Sequence, residues 1–230
     1  MPDTTPRQRP AAQPASYPPA RPAEVVREFG PFPGASSIAG VTHDGRHVWA
    51  AGGTQLLAID PASGEVARSL ACACDAGTAF DGKHLWQIAE ARIARIDPAT
   101  GQVLGSIPAP AGGGDSGLAW AEGSLWVGDY RGRRIHQVDP ETGAIRRTIE
   151  SNSFVTGVTW VDGDLWHGTW EGEESELRRV DPQSGAVLER LQMPAGTGVS
   201  GLESDGADLL YAGGGPSGKL RAVRRPRARG

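Results

Sequence analysis

The sequence predicts an all-β protein, a five-bladed β-propeller of four-stranded antiparallel blades closed by the N-terminal strand, and three observations predict it. A hydrophobic-Trp pair recurs at Val48-Trp49, Leu85-Trp86, Leu125-Trp126 and Leu165-Trp166, and as Leu210-Tyr211, at spacings of 37, 40, 40 and 45 residues. Ahead of each pair stands an acidic residue followed by Gly: Asp44-Gly45, Asp81-Gly82, Glu122-Gly123, Asp162-Gly163 and Asp205-Gly206. Such a dipeptide between apolar runs is a hairpin signal. Behind the first four pairs comes a second turn, Asp-Pro-x-Ser/Thr-Gly, beginning at Asp60, Asp97, Asp139 and Asp181. Four short runs in a period near 40 residues make one propeller blade.

Within each copy, one strand precedes the acidic-Gly turn, a second carries the Trp, a third ends at Asp-Pro and a fourth follows Ser/Thr-Gly. In the second turn Asp caps with its side chain, Pro presets φ and Gly supplies a positive φ. The runs are rich in β-branched and aromatic residues, as in Gly157-Val158-Thr159-Trp160-Val161. No window keeps a helical period for three turns, so no helix is expected. The fifth copy decays to Val223-Arg224-Arg225-Pro226 and lacks a fourth strand. Glu24-Val25-Val26-Arg27-Glu28-Phe29 has the pattern of the fourth strand Ala186–Leu191 and supplies it, which leaves no open edge in the ring. The organisation is therefore a disordered Pro/Ala-rich tail over 1–23, the propeller over 24–226 and a basic end over 227–230. Trp49, Trp86, Trp126 and Trp166 form one repeat column and Trp120 and Trp160 another, both expected to pack between blades. Gly40, Gly77, Gly117, Gly157 and Gly201 recur once per blade, where inner strands crowd the axis.

Composition narrows the function. The 230 residues include 23 basic and 27 acidic ones, a net charge of −4 that argues against a nucleic-acid partner. No stretch approaches the roughly 18 apolar residues of a membrane helix, so no membrane partner is expected. The tail lacks the apolar core of a signal peptide, which points to a cytoplasmic location. Lys83 and Lys219 are the only lysines, and neither lies in a phosphate-cradling loop. Cys72 and Cys74 have no second Cys pair or His cluster nearby, so no metal and no cofactor is expected. No Gly-x-Ser-x-Gly elbow supports a hydrolase.

On a symmetric scaffold, a ligand's needs show as departures from the repeat. Four positions past the blade Trp the column reads Gly53, Glu90, Tyr130, Trp170, Gly215, and one position earlier Gly52, Ala89, Asp129, Thr169, Gly214. Just before the inner-strand glycine it reads Ala39, Ala76, Ser116, Thr156, Ser200, and one before that Ile38, Asp75, Asp115, Val155, Val199. Cys74, Asp75, Glu90, Asp115, Asp129, Tyr130, Phe154 and Trp170 thus share one rim. Carboxylates and aromatic faces on one side of a channel mouth suit a cation or an amine. The plainer reading is solvated loop carboxylates around a water-filled channel. His167 is the one histidine near the rim. The acidic run Glu171, Glu173, Glu174 and Glu176 reads as a solvated flap beside the mouth.

Five blades, ring closure by an N-terminal strand, Leu85-Trp86-Gln87 and Trp166-His167-Gly168-Thr169-Trp170 resemble the plant and bacterial type of glutaminyl cyclotransferase. That family converts an N-terminal Gln to pyroglutamate: the α-amine attacks the side-chain amide and ammonia leaves. Such chemistry asks for an acid and for aromatic walls that fold the substrate. The resemblance makes Trp170 the counterpart of the family's pocket tryptophan and adds Gln87 to the binding candidates Trp170, Tyr130, Asp129, Phe154 and Cys74. This chain has Ala39 and Ala76 where the family carries Gln and Glu, and Gly213-Gly214-Gly215 where it carries a lysine, with Lys219 at least four residues away. The acid would then come from Glu90, Asp75 or Asp115. The expected function is a cyclotransferase-like enzyme acting on an N-terminal glutamine or a related amine, its partner a small molecule or peptide N terminus. The alternatives are a non-catalytic propeller binding a small cationic ligand or peptide, and a lyase similar to the virginiamycin-lyase propellers or a thiol-dependent activity at Cys74.

Overall fold

A computed structural model of the 230-residue chain describes residues 17–226; the first 16 residues of the expected tail and the basic end 227–230 lie outside the described residues. Two strands precede the ring, β1 (Arg21–Pro22) and β2 (Val25–Phe29). Blade 1 comprises β3 (Val41–His43), β4 (Val48–Ala51), β5 (Gly53–Ile59) and β6 (Val66–Cys74), and blade 2 comprises β7 (Thr78–Phe80), β8 (Leu85–Ala89), β9 (Arg92–Ile96) and β10 (Val103–Pro108). Blade 3 holds β11 (Asp115–Ala121), β12 (Ser124–Asp129), β13 (Arg134–Val138) and β14 (Ile145–Glu150). Blade 4 holds β15 (Val158–Val161), β16 (Asp164–Glu171), β17 (Glu174–Val180) and β18 (Val187–Gln192), and blade 5 holds β19 (Gly201–Ser204), β20 (Leu209–Gly213) and β21 (Leu220–Arg224). No helix occurs among the described residues, and so none that could cross a membrane.

The ring closes as the sequence predicts. Strand β2 runs antiparallel to β21, Val25 opposite Val223 and Phe29 opposite Leu220, and is the fourth strand of blade 5. Arg221 and Lys219 both pair with Glu28 of β2, at 2.6 and 2.9 Å. Arg27 donates to the carbonyls of Pro61, Ala62 and Ser63, which ties the closing strand to the Asp-Pro turn of blade 1. Part of the stretch expected as tail is also engaged: β1 adds a parallel fifth strand to blade 4, with Arg21 opposite Leu191.

The turns do more than reverse the chain. In each Asp-Pro turn the carboxylate accepts the next two free backbone N–H groups, as Asp60 does from Ala62 at 2.7 Å and Ser63 at 3.0 Å. In the acidic-Gly turns of blades 1 and 2 the carboxylate also reaches the blade tryptophan. Asp44 accepts from Trp49 Nε1 at 2.7 Å, and Asp81 from Trp86 Nε1 at 2.8 Å. The same carboxylates accept from the backbone N–H of His47 and His84, which fixes those two histidines as parts of the turn. In blades 3 and 4 the indole nitrogens of Trp126 and Trp166 are buried without a partner.

Between blades, the two Trp columns meet. Trp86 stacks on Trp120 with ring centroids 6.0 Å apart, and Trp126 on Trp160 at 5.2 Å. Trp49 shares a buried cluster with Phe80, and Tyr211 of blade 5 stacks on His43 of blade 1 at 6.1 Å. Arginines cover these rings: Arg68 lies over Trp49, Arg95 over Trp86 and Arg147 over Trp126, at 5.1 to 5.7 Å. A planar guanidinium stacks on an indole where a lysine ammonium would not.

Replacing Asp81 by Ala removes the acceptor of a buried indole N–H and two backbone N–H groups. Urea unfolding of Asp81→Ala should show a loss of about 1–3 kcal/mol. Glu122→Ala, at the equivalent turn whose tryptophan already lacks this bond, should stay within about 0.5 kcal/mol of the parent protein.

Candidate functional site

The five residues preceding the inner-strand glycines, Ala39, Ala76, Ser116, Thr156 and Ser200, converge at one mouth of the central channel and floor a pocket of about 370 Å³. Two of these five residues present a methyl group and three carry a hydroxyl. The hydroxyls serve the ring first: Ser116 donates to the carbonyl of Val155 or Gly128, at 2.7 and 3.1 Å, and Ser200 to that of Ile38 or Gly213. Each thus ties one blade to the next. Thr156 Oγ1 is buried without a hydrogen-bond partner.

Trp170 and Tyr130 form aromatic walls. Strand β16 runs on to Glu171, longer than the other second strands, and so carries Trp170 to the rim. Its indole lies against Gly198 and Gly215, where an added Cβ would come within 3 Å of the ring, and its N–H donates to the Gly172 carbonyl at 3.0 Å. Glycine at both places gives the ring room to lie flat. Tyr130 stacks on Phe154 with centroids 4.7 Å apart, and the Arg133 guanidinium lies 4.5 Å over Phe154. Phe154 therefore supports a wall without lining the pocket.

The carboxylates divide sharply. Asp115 is buried and accepts from the backbone N–H of Ala111 at 2.9 Å and Gly113 at 3.2 Å, so it clasps the glycine-rich loop at the pocket's edge. Asp129 accepts from Gly132 N at 2.8 Å and lies 3.9 Å from His136 Nε2, a loop cap outside the pocket. Glu90 sits at φ 52° in the turn between β8 and β9, exposed and away from the lining residues. Asp75 lines the pocket as Asp115 does, but it is exposed and has no hydrogen bond or ion pair among the described residues.

Neither remaining candidate lines the pocket. Gln87 is buried with its amide fully engaged: it accepts from Thr78 Oγ1 at 2.6 Å and donates to the carbonyls of Ala76 and Ile88. Cys74 faces the seam between blades 1 and 2, its thiol donating to the Gln55 carbonyl at 3.1 Å. A hydrogen bond with Cys72 and burial push that thiol up, and the same shared hydrogen bond lowers Cys72. His167, expected near the rim, lines a small separate cavity with Ile149 and Tyr17, and burial lowers its pKa to about 4. Of the acidic flap, Glu176 is buried between Arg178 and Arg190 instead of solvated.

One charged residue of the pocket is not among the candidates read from the sequence. Arg131 lines the pocket beside Tyr130. Its signal was present: the position five past the blade Trp reads Thr54, Ala91, Arg131, Glu171, Pro216, a cation in a mixed column. A larger cleft of about 460 Å³ lies at the outer edge between blades 4 and 5, but its arginines are engaged: Arg21 with Glu189, Arg224 with Glu24 and Arg225 with Asp162.

The sequence profile of the PQQ_2 family, described as outer membrane protein assembly factor BamB, matches residues 89–227, more than half of the chain. The chain belongs to the PQQ_2 family. Regucalcin from Xenopus laevis is 30% identical over 98 residues, a stretch covering 40% of this chain and 30% of regucalcin. The PQQ_2 propeller superposes on the glutaminyl cyclase of Myxococcus xanthus with a TM-score of 0.72, covering 89% of this chain and 97% of that one at 17% identity. A chain of the mitotic checkpoint complex gives a TM-score of 0.51 at 16% identity, covering 83% of this chain and 75% of its own length. These likenesses show the fold.

Below the pocket this PQQ_2 chain holds another carboxylate. Glu203 of β19 stands where the inner strands of blades 4, 5 and 1 meet, and accepts from Thr42 Oγ1 at 2.8 Å, Ser204 N at 2.8 Å and Thr159 Oγ1. Burial raises its pKa to about 7, against the pull of those three donors. Its column, Thr42, Ala79, Ala119, Thr159, Glu203, marks it as the one acid among small residues.

Since this value lies above the usual 4.5, the contribution of protonated Glu203 is fully present below about pH 4.5 and is lost as pH rises through about 7. The loss is on the order of 3 kcal/mol. Urea unfolding from pH 5 to 8 should show Glu203→Gln gaining stability relative to the parent protein as pH rises. The difference between the two isolates Glu203 from His43, His136 and His167, whose pKa values burial lowers and which act in the opposite direction. A difference that does not change with pH would contradict the assignment.

Proposed function

We propose that the pocket at the channel mouth binds an amine-bearing ligand, a peptide N terminus or a small amine, with Asp75 opposing the ammonium and the rings of Trp170 and Tyr130 at its sides. One observation carries this reading: a carboxylate with no partner among the described residues opens onto the same pocket as two aromatic walls. An ammonium gains both from a charge-assisted hydrogen bond and from an aromatic face. The volume of about 370 Å³ suits a small molecule or the first residues of a peptide.

The catalytic form of the same reading is cyclisation of an N-terminal glutamine, the activity in the name of the Myxococcus xanthus protein that shares this fold. The α-nitrogen would bond to the side-chain amide carbon, the bond to the amide nitrogen would break, and the proton lost by the amine would reach the departing ammonia. Asp75 would make that transfer on this reading, since Asp115 is occupied by backbone N–H groups and Glu90 stands outside the pocket. Lys219 is paired with Glu28 and takes no part.

Titration of the dipeptide Gln-Gly, followed by tryptophan fluorescence and ammonia release, tests both forms. Asp75→Asn and Trp170→Ala should each weaken binding by about tenfold or more, while Glu90→Ala should leave it unchanged. Ammonia release abolished by Asp75→Asn favours the cyclotransferase, and binding without ammonia favours a binding module. If the parent protein does not bind the dipeptide, or if Asp75→Asn binds it equally well, the reading fails.

A further inference from the structure

The described arginines are almost all engaged. They cover rings, as Arg68, Arg95 and Arg147 do, or pair with carboxylates, as Arg134 does with Glu150 and Arg146 with Asp139. Among the described arginines only Arg46 and Arg131 have side chains with no hydrogen bond, ion pair or ring contact, and of these two only Arg131 lines the pocket. Asp75 lines the same pocket, equally without a partner. The two opposite charges do not pair with each other, although an exposed Asp and Arg within reach would do so readily. They stand on different loops: Asp75 lies between β6 and β7, and Arg131 between β12 and β13.

The geometry points to a zwitterionic ligand, a free amino acid or short peptide whose ammonium meets Asp75 and whose carboxylate meets Arg131. The inference rests on the amine-binding reading of the pocket and adds that the ligand must end in a nearby carboxylate. A ligand that meets both charges must carry its own two charges within the span of one pocket. An extended dipeptide spans about 7 Å between its ends, whereas the C terminus of a longer peptide or protein would fall outside the pocket. A planar guanidinium can take a carboxylate through two parallel hydrogen bonds, which a point charge cannot. Arg131 is on this account the specificity-determining residue that separates short zwitterions from the N termini of proteins.

Three probes test this by calorimetric titration: Gln-Gly, its C-terminal amide and its N-acetyl derivative, each against the parent protein and Arg131→Ala. The amide should bind the parent protein about tenfold more weakly than the acid, and Arg131→Ala should bind the two equally. Arg131 is exposed and unpartnered, so its replacement leaves the fold intact, which circular dichroism checks. If the amide binds the parent protein as tightly as the acid while the N-acetyl form does not bind, the inference is overturned and the amine reading stands. A preference for the acid that persists in Arg131→Ala also overturns it. If none of the three binds at millimolar concentration, both the inference and the amine reading fall.

Discussion

Everything in this molecule depends on how closely the innermost strands of neighbouring blades approach one another. At Gly40, Gly77, Gly117, Gly157 and Gly201 an added Cβ would lie within 3 Å of backbone atoms of the next blade. Backbone packs on backbone around the ring, and no other residue type permits that distance. The contact fixes the positions just before the glycines, which is why Ala39, Ala76, Ser116, Thr156 and Ser200 converge into a floor. Farther from the axis the spacing widens, and the stacked aromatic pairs such as Trp86–Trp120 and Trp126–Trp160 fill it. Glycine near the axis and tryptophan outside it are two answers to one wedge-shaped gap.

The charge pattern follows from the same architecture. The tryptophans of the seams are buried beneath Arg68, Arg95 and Arg147, and a planar guanidinium can lie flat on an indole. Carboxylates recur in the turns because each must satisfy several backbone N–H groups. The pull of those groups, with Arg146 foremost, lowers Asp139 to about 2, and backbone N–H groups lower Asp60 likewise. With so many charges given over to scaffold work, those left without a partner in a pocket carry information. Asp75 and Arg131 are such a pair.

The fold was legible because it is written five times. Each blade repeats its turn residues, its Trp and its axial Gly, and the missing strand at one end is matched by a spare strand at the other. The site was legible only in part. Asp75, Asp115, Tyr130 and Trp170 do line the pocket. Glu90 shares a repeat column with Tyr130 and Trp170, but its backbone turns to a positive φ and leaves the side chain in solvent. Cys74 is the last residue of β6 and its thiol is buried in the seam between blades, whereas Asp75 lies beyond the strand and is exposed. Asp129 and Asp115 look alike in sequence as free rim carboxylates; the loops they cap are visible only once folded. Arg131 and Glu203 each break their own repeat column, but a single unlike residue on a loop or inside a strand does not show in sequence which way its side chain faces.

The central claim is that the axial glycines, by allowing backbone contact between blades, hold the ring and its pocket together. Urea unfolding of Gly117→Ala beside Gly105→Ala tests it most directly, since a Cβ at Gly117 would meet Thr156, Gly157 and Val158 whereas one at Gly105 meets nothing within 4 Å. The account predicts that Gly117→Ala loses on the order of 3 kcal/mol or fails to fold, as overpacking against backbone demands, while Gly105→Ala unfolds as the parent does. Gly117→Ala unfolding within about 0.5 kcal/mol of the parent protein would contradict it.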